Sequence, residues 1–551
     1  MEHKKLLAAA LTLAMVFALV SPVFAAPIPA ASGSIRITQP NSSVSIAGQA
    51  FEVYRIFDLT LDDRGDINNP AGYAYSYTVA PEFKDYAYTV GATTYGDHLA
   101  HPAYSSLPAY IGTLSNDSDA LNAFAEDVYA WAKGTGAVSP GTTITMDAAG
   151  GADAEEKTVS GLPLGYYLVF GQGTATDGSG AVVSAFALDS TSTLADIHIK
   201  ADVPALDKKV SDAANGTFGE QADLDIGDTA HFKLTSTVPS MIGYDSYTYI
   251  VHDTLSEGLT FNDDIAIAVG SNTAFTDFTL DKSGIVAGGG GSFTITFNDF
   301  IDLNTGDAIV ITYSATLNEK AKIKPTDAAA DNVNNAHLEY SNDPTDGTST
   351  GETPDNPAYV HTFEFDVYKY TGTLGSGETK LADAKFKLYT DASASKDNEV
   401  PLVLISGSTY RHAKPDELTG ITEADPAAAH KYTTRLTSDS NGNIKVEGLD
   451  AGTYYLKEIE PPAGYNLVET PIKVELIPVY NTDGTVDTYT IKKDNAGTSK
   501  INVENNSGIE LPESGGIGRT IFTIVGLLLM LGAGLVLVAR RKTAAARAER
   551  E

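Results

Sequence analysis

The chain has no cysteine, one tryptophan and only ten histidines among 551 residues. Without cysteine no disulfide can lock its domains, and the scattered histidines have no spacing that suggests a zinc site. Basic residues are also scarce. Lys and Arg number 37 against 71 Asp and Glu, a net charge of −34, which excludes a nucleic-acid binder because phosphates attract basic patches. The balance fits a soluble, self-repelling surface. Hydrophobic residues at 42% exclude wholesale disorder, and the length allows three or four domains. Tyrosine is abundant, at 28 residues, and with many Thr and Val it favours strands.

Long apolar runs stand at the two ends. Lys4 and Lys5 precede an apolar stretch from Leu6 to Val20, and Val23-Phe24-Ala25 offers the small residues a signal peptidase needs. The expected mature chain starts near Ala26, outside the cell, with residues 1–25 removed. At the other end Leu511-Pro512-Glu513-Ser514-Gly515-Gly516 leads into an apolar run from Ile521 to Val538, followed by Arg540-Arg541-Lys542. A run of about 18 residues just crosses a bilayer core as a helix, and the basic cluster holds the C-terminus on the cytoplasmic side.

This order of motif, span and charges resembles the cell-wall sorting signal of Gram-positive surface proteins, placed here at 511–551. The resemblance implies a sortase that cleaves between Ser514 and Gly515 and joins the new carboxyl to an amine of peptidoglycan or of another subunit. Ser514 departs from the usual Thr.

Between the ends, short alternating runs broken by Gly, Asn, Asp and Pro predict antiparallel sandwiches, for example Ser292 to Phe297, Ala308 to Tyr313 and Phe363 to Tyr370. One helix stands out. Asp117 is its expected N-cap, Leu121, Phe124, Val128 and Trp131 recur at helical spacing, and Gly134 closes it. Trp131 is expected to pack this helix on its sheet. Breaks at Asp202-Val203-Pro204 and in the polar stretch Thr345 to Pro357 divide the mature chain into modules at 26–201, 202–350 and 358–510. Gly161-Leu162-Pro163-Leu164-Gly165-Tyr166-Tyr167-Leu168 and Gly448-Leu449-Asp450-Ala451-Gly452-Thr453-Tyr454-Tyr455-Leu456 form a faint repeat between the first and third modules.

In the third module Phe363, Phe365, Val367 and Lys369 share one strand face, so Lys369 points into the core. A buried ammonium is expensive unless it has a partner or is neutral. Glu458, in Leu456-Lys457-Glu458-Ile459-Glu460-Pro461-Pro462-Ala463-Gly464-Tyr465, and Asn505, of one parity with Ile501 and Val503, are the candidates. The segment 456–465 resembles the E-box of the Cna B-type, or SpaA-like, domains of Gram-positive pilins. The resemblance implies a self-formed isopeptide bond between Lys369 and Asn505 with Glu458 as catalyst. Burial would lower the lysine pKa and raise the carboxyl's, so a neutral amine can attack and ammonia leaves. No cofactor is needed, since folding supplies the proximity. The bland alternative is a buried Lys369–Glu458 ion pair.

The middle module repeats the pattern. Leu206, Lys208 and Val210 share a strand face, Asn334, Ala336, Leu338 and Tyr340 share another, and Asp253 sits in the apolar strand Tyr249 to Leu255. It resembles the fimbrial isopeptide-forming D2 domain, which implies Asp253 as the acid. Parity favours Lys208 and Asn334 over Lys209, Asn332 and Asn335, although a bulge would shift the choice.

The first module has Arg36 where an early-strand lysine would stand and Phe170 in place of the E-box acid. Arginine cannot serve as a neutral nucleophile, so no internal bond is expected there. A pilin also needs a lysine to receive its neighbour's carboxyl. Ile197-His198-Ile199-Lys200 resembles the family's acceptor motif without its Tyr-Pro, making Lys200 the candidate. Arg64-Gly65-Asp66 reads as a polar turn rather than an adhesive tripeptide. Asp439-Ser440-Asn441-Gly442-Asn443 reads as a hairpin rather than a calcium loop, and Gly288 to Gly291 as a loop rather than a phosphate cradle.

These readings imply a mainly β protein. Tandem immunoglobulin-like, Cna B-type sandwiches carry one helix in the N-terminal domain and end in a C-terminal transmembrane helix. The implied role is the shaft subunit of a covalent pilus, extracellular and anchored to the wall, not an enzyme beyond forming its own bonds. Its partners would be sortase, neighbouring pilin subunits and peptidoglycan. A wall-anchored adhesin whose first module binds host matrix or glycan is the alternative.

Overall fold

A computed structural model describes residues 32–61, 75–115, 119–183, 187–190, 194–198, 202–324, 331–418, 432–433, 435–508 and 517–548. The signal segment, Asp117, Arg64-Gly65-Asp66, Lys200 and the motif Leu511 to Gly515 lie outside the described residues.

The strands group into three successive sets of sheets. In the first, Ser32–Thr38 pairs parallel with Leu194–His198 and antiparallel with Glu156–Pro163, while the long strand Ala50–Leu61 is the centre of a second sheet with Gly165–Phe170 and Tyr75–Val79. Alternation along Ser32–Thr38 buries Ile35 and Ile37. The helix Asp119–Lys133 lays Leu121, Phe124, Ala125, Val128 and Ala132 against Tyr54, Ile56 and Leu168. Trp131 closes this contact, its ring 5.3 Å from Tyr86 and 5.9 Å from Phe83.

The middle set is a two-sheet sandwich. One sheet runs Asp207–Ser211, Thr229–Thr237, Ala308–Leu317, Ala266–Val269, Asn272–Phe275; the other runs Gln221–Asp223, Asn356–His361, Asn332–Ser341, Tyr249–Leu255, Gly291–Phe297, Phe278–Ile285. The expected boundary at 350–358 is therefore corrected. Thr350–Glu352 and Asn356–His361 both pair with Asn332–Ser341, and Ala358 and Val360 are fully buried in the middle core. The polar composition of 345–357 marks turns around these strands, not a linker.

The third set places Phe363–Thr371 between Asn443–Leu449 and the last strand Ile501–Glu504, which runs parallel to it. The facing sheet is built on Lys385–Tyr389, Gly452–Glu460, Ile472–Tyr480 and Val486–Lys493. The expected hairpin at Asn441-Gly442 is also corrected, because the turn joins Leu436–Thr437 of one sheet to Asn443–Leu449 of the other. Gly442 has φ +77, and a Cβ there would lie 2.3 Å from the Lys369 carbonyl oxygen, so only glycine allows this approach.

The repeat noticed in the sequence is a shared local structure. Tyr167 donates to the Pro163 carbonyl at 2.8 Å and Tyr454 to the Asp450 carbonyl at 3.0 Å, the same four-residue return after a glycine turn. Neighbouring sets also touch. Asp450 N donates to Asp225 Oδ1 at 2.7 Å and Ile226 N to the Gly448 carbonyl at 2.9 Å, joining the middle set to the third.

After the last described strand, Ile517–Ala548 is helical, and its stretch Thr523–Lys542 has mean hydropathy 2.2 with none of it buried. It is long and apolar enough to span a bilayer.

Candidate functional site

Four strands of the middle sandwich each contribute one polar side chain to the same buried point. Alternation turns Lys208 and Val210 inward on Asp207–Ser211, Asp253 inward on Tyr249–Leu255, Asn334 inward on Asn332–Ser341, and Tyr313 inward on Ala308–Leu317. Pairing of Leu255 with Asn334 and of Phe232 with Tyr313 brings these positions to one level across the two sheets.

Lys208 Nζ donates to Asp253 Oδ2 at 2.8 Å and to Asn334 Oδ1 at 2.7 Å. Tyr313 donates to the same Asp253 Oδ2 at 2.5 Å, and Asn334 Nδ2 donates to the Tyr313 hydroxyl at 2.7 Å. The four groups form a closed ring. Lys208 is 0% and Asp253 1% exposed, and the ammonium lies 5.5 and 5.6 Å from the Phe232 and Tyr313 ring centres. Burial pulls Lys208 down to about 8, partly offset by the Asp253 carboxylate. Burial likewise raises Asp253, against the opposing pull of Lys208 and Tyr313. Burial thus works against the charged form of both partners.

The sequence alternatives are placed elsewhere. Lys209 lies on the other strand face, half-buried between Asp207 and Glu220. Asn332 is buried but spends its amide on the backbone of Lys322 and Val360. Asn335 falls on the other strand face from Asn334. Tyr313 was missed by the sequence reading, although it ends the quoted run Ala308 to Tyr313 with inward parity.

The third sandwich holds a second cluster. Lys369 is 0% exposed and faces Val503 across the parallel pair, donating to its carbonyl at 3.2 Å. Lys369 Nζ is 3.4 Å from Glu458 Oε1, which reaches in from the opposite sheet. Asn505, directly after the last strand, donates to Glu458 Oε2 at 3.0 Å and to the Asn466 carbonyl at 2.6 Å. Val468 N fixes the same Oε2 at 2.8 Å. Burial pulls Lys369 down to about 8, opposed by the Glu458 charge. Asn505 Oδ1 and Glu458 Oε1 are buried and make no hydrogen bond.

In the first set Arg36 pairs with Glu156 at 4.0 Å, and Phe170 packs on Tyr129 with ring centres 4.4 Å apart. Neither stands in a lysine–acid–asparagine cluster. No metal-holding group of His, Asp and Glu occurs among the described residues.

Residues 368–495 match the model of the SpaA prealbumin-like fold domain, a range that opens one residue before Lys369 and contains Glu458. Residues 503–544 match the LPXTG cell wall anchor motif. The chain is a cell-wall-anchored extracellular protein with a SpaA-type domain. The membrane-spanning segment belongs to its precursor. Over 391 residues the chain is 25% identical to the trypsin-resistant surface T6 protein of Streptococcus pyogenes serotype M6, covering 62% of this chain and 70% of that one. Similar solved structures include the T6 backbone pilin of serotype M6 Streptococcus pyogenes, with 17% identity, TM-score 0.47, and 87% of this chain and 99% of that one covered. Another is the full-length major pilin SpaD of Corynebacterium diphtheriae, with 16% identity, TM-score 0.42, and 87% and 98% covered. The SpaA-type domain thus contains Lys369 and Glu458, while Asn505 falls within the anchor match.

Proposed function

We propose that the chain is the shaft subunit of a covalent pilus, joined to neighbouring subunits and to peptidoglycan by sortase at Ser514, and stiffened by bonds Lys208–Asn334 and Lys369–Asn505. The observation that carries the reading is the pair of buried lysine–acid–asparagine clusters in successive modules of a wall-anchored chain. Each lysine is desolvated, each has a carboxyl in reach to take its proton, and each has an amide held at the same carboxyl directly or through one hydroxyl. The neutral amine attacks the amide carbon, an amide bond forms, the carbon–nitrogen bond of the asparagine breaks, and ammonia leaves. Asp253 and Glu458 act as the acid–base groups. Chemistry of the chain is limited to these self-formed bonds.

The bonds serve mechanics. Lys208 and Asn334 are 126 residues apart. A cross-link closing such a loop removes about 5 kcal/mol of unfolded-state entropy by analogy with a disulfide, and force passes through it instead of through the enclosed chain. Lys200 remains the proposed acceptor for the neighbour's carboxyl.

The test is intact mass of the secreted ectodomain and blotting of wall extracts. Two bonds require a deficit of about 34 Da, one ammonia of about 17 Da each. A sortase-dependent ladder that disappears with Lys200→Ala supports the shaft and its acceptor. A single unladdered band, from wild-type cells, would favour an adhesin instead.

A further inference from the structure

The two clusters differ in one respect that the length of the acid explains. In the third module Glu458 Oε2 itself touches the nitrogen that would leave, Asn505 Nδ2, at 3.0 Å. In the middle module Asn334 Nδ2 instead donates to the Tyr313 hydroxyl, at 2.7 Å, and that hydroxyl donates to Asp253 Oδ2, at 2.5 Å. Aspartate is one methylene shorter than glutamate, and the phenol fills the distance. Phe232 stacks on the Tyr313 ring at 5.3 Å and Phe293 meets it edge-on at 5.3 Å, so the hydroxyl is held in place from both sides.

We propose that Tyr313 is a catalytic residue of the middle module, relaying a proton from Asp253 to the departing nitrogen of Asn334. This inference rests on the bond-forming reading and adds a role to it. The contact between Asn334 and Tyr313 must reverse direction during the reaction. An amide nitrogen has its lone pair delocalised and donates; once the carbon becomes tetrahedral, the nitrogen is an amine and accepts.

The step balances as follows. Lys208 gives a proton to Asp253 Oδ2, and its lone pair attacks Asn334 Cγ, moving the carbonyl electrons onto oxygen. Tyr313 passes its proton to Nδ2 and takes the one on Asp253. The freed carboxylate removes the second proton from the Lys208 nitrogen, the carbonyl re-forms, and ammonia leaves. One carbon–nitrogen bond forms and one breaks, and Tyr313 ends protonated. Burial and the adjacent Asp253 raise the phenol well above its ordinary value, so it holds its proton unless one replaces it at once. A relay demands that property.

Tyr313→Phe keeps the ring packing and removes the relay. In the full ectodomain, peptide mapping and intact mass should show the Lys369–Asn505 linkage formed normally. The Lys208–Asn334 linkage should form on the order of 100-fold more slowly, lowering the early mass deficit from about 34 to about 17 Da. Adding Asp253→Glu, which lets the acid reach the nitrogen directly, should restore part of the rate; a structural role for the hydroxyl predicts no such rescue. Formation of the middle bond in Tyr313→Phe at the native rate overturns the relay. Wild-type protein lacking the 208–334 cross-linked peptide would overturn the bond-forming reading itself, a separate result. If the Phe variant does not fold, fluorotyrosine at 313 keeps the shape and makes the phenol a stronger acid: the rate of Lys208–Asn334 bond formation should change while that of Lys369–Asn505 does not, and an unchanged rate overturns the relay.

Discussion

Asn505 Nδ2 lies 3.0 Å from Glu458 Oε2, a contact that crosses from the last strand's end to the facing sheet. The same carboxyl is 3.4 Å from Lys369 Nζ at its other oxygen. Among the described residues, Glu458 is the acidic side chain that contacts both that amine and that amide. Glu458→Ala should abolish the bond in the third module and leave the middle one, restoring about 17 Da of the deficit by intact mass. It should also leave Lys369 buried without a counter-charge, costing about 3–5 kcal/mol in denaturant titrations.

The proposed middle bond would not join first strand to last. After Asn334 the chain continues through the rest of Asn332–Ser341, then Thr350–Glu352 and Asn356–His361. Under pulling force the loop from Lys208 to Asn334 should stay closed, while about 27 residues beyond it peel, giving roughly 90 Å at most of extension. Single-molecule stretching reads this as a short, repeatable step. Lys208→Ala should replace it with extension of the whole module and lower its melting temperature by about 10–20 °C.

A carboxylate cluster sits where the middle and third modules meet. Asp450, beside Asp223 and Asp225, is raised to about 8 by burial and then by those two charges, and Asp223 is raised to about 6 by burial, with Tyr480 donating to it. His412 lies 3.7 Å from Asp225. A carboxyl whose folded pKa exceeds its unfolded value of 3.8 binds more protons when folded, so its effect on stability worsens as pH rises from about 4 and levels off above about 8. Melting of the two-module unit should decline over that window. Asp450→Asn should raise it at pH 8 and flatten the profile.

Fragment boundaries test the corrected module edge. A piece comprising residues 202–361 should fold cooperatively, whereas 202–350 should be degraded by trypsin under the same conditions. The shorter piece lacks Ala358 and Val360, fully buried between Asn332–Ser341 and Gln221–Asp223. Removing that strand exposes the core and leaves both neighbours with unpaired backbone groups.

Much of the site was legible because a strand has a period of two. Parity alone turned Lys208, Lys369 and Asn334 inward, and each is fully buried. The choice of Asn334 over Asn335 follows from parity, but the choice over Asn332, which rested on the same argument, does not, because Asn332 and Asn334 share a face. The difference lies in what each amide meets: backbone of Lys322 and Val360 for one, Lys208 and Tyr313 for the other. The strand Asn356–His361, which lies between Gln221–Asp223 and Asn332–Ser341, was hidden by its composition, since prolines and turn residues beside it mimic a linker.

The order of the chain's own segments settled its address. A leader, a sorting motif, an apolar span and a basic end act through local hydrophobicity and charge, which need no folding to be read. Alternation likewise settled which lysines enter a core. That the acid and amide named for each lysine actually meet it, and that a phenol joins the middle cluster, was decided only in three dimensions. Those partners come from strands separated by tens to more than a hundred residues, and their meeting depends on sheet order and register, which the packing of whole sandwiches selects.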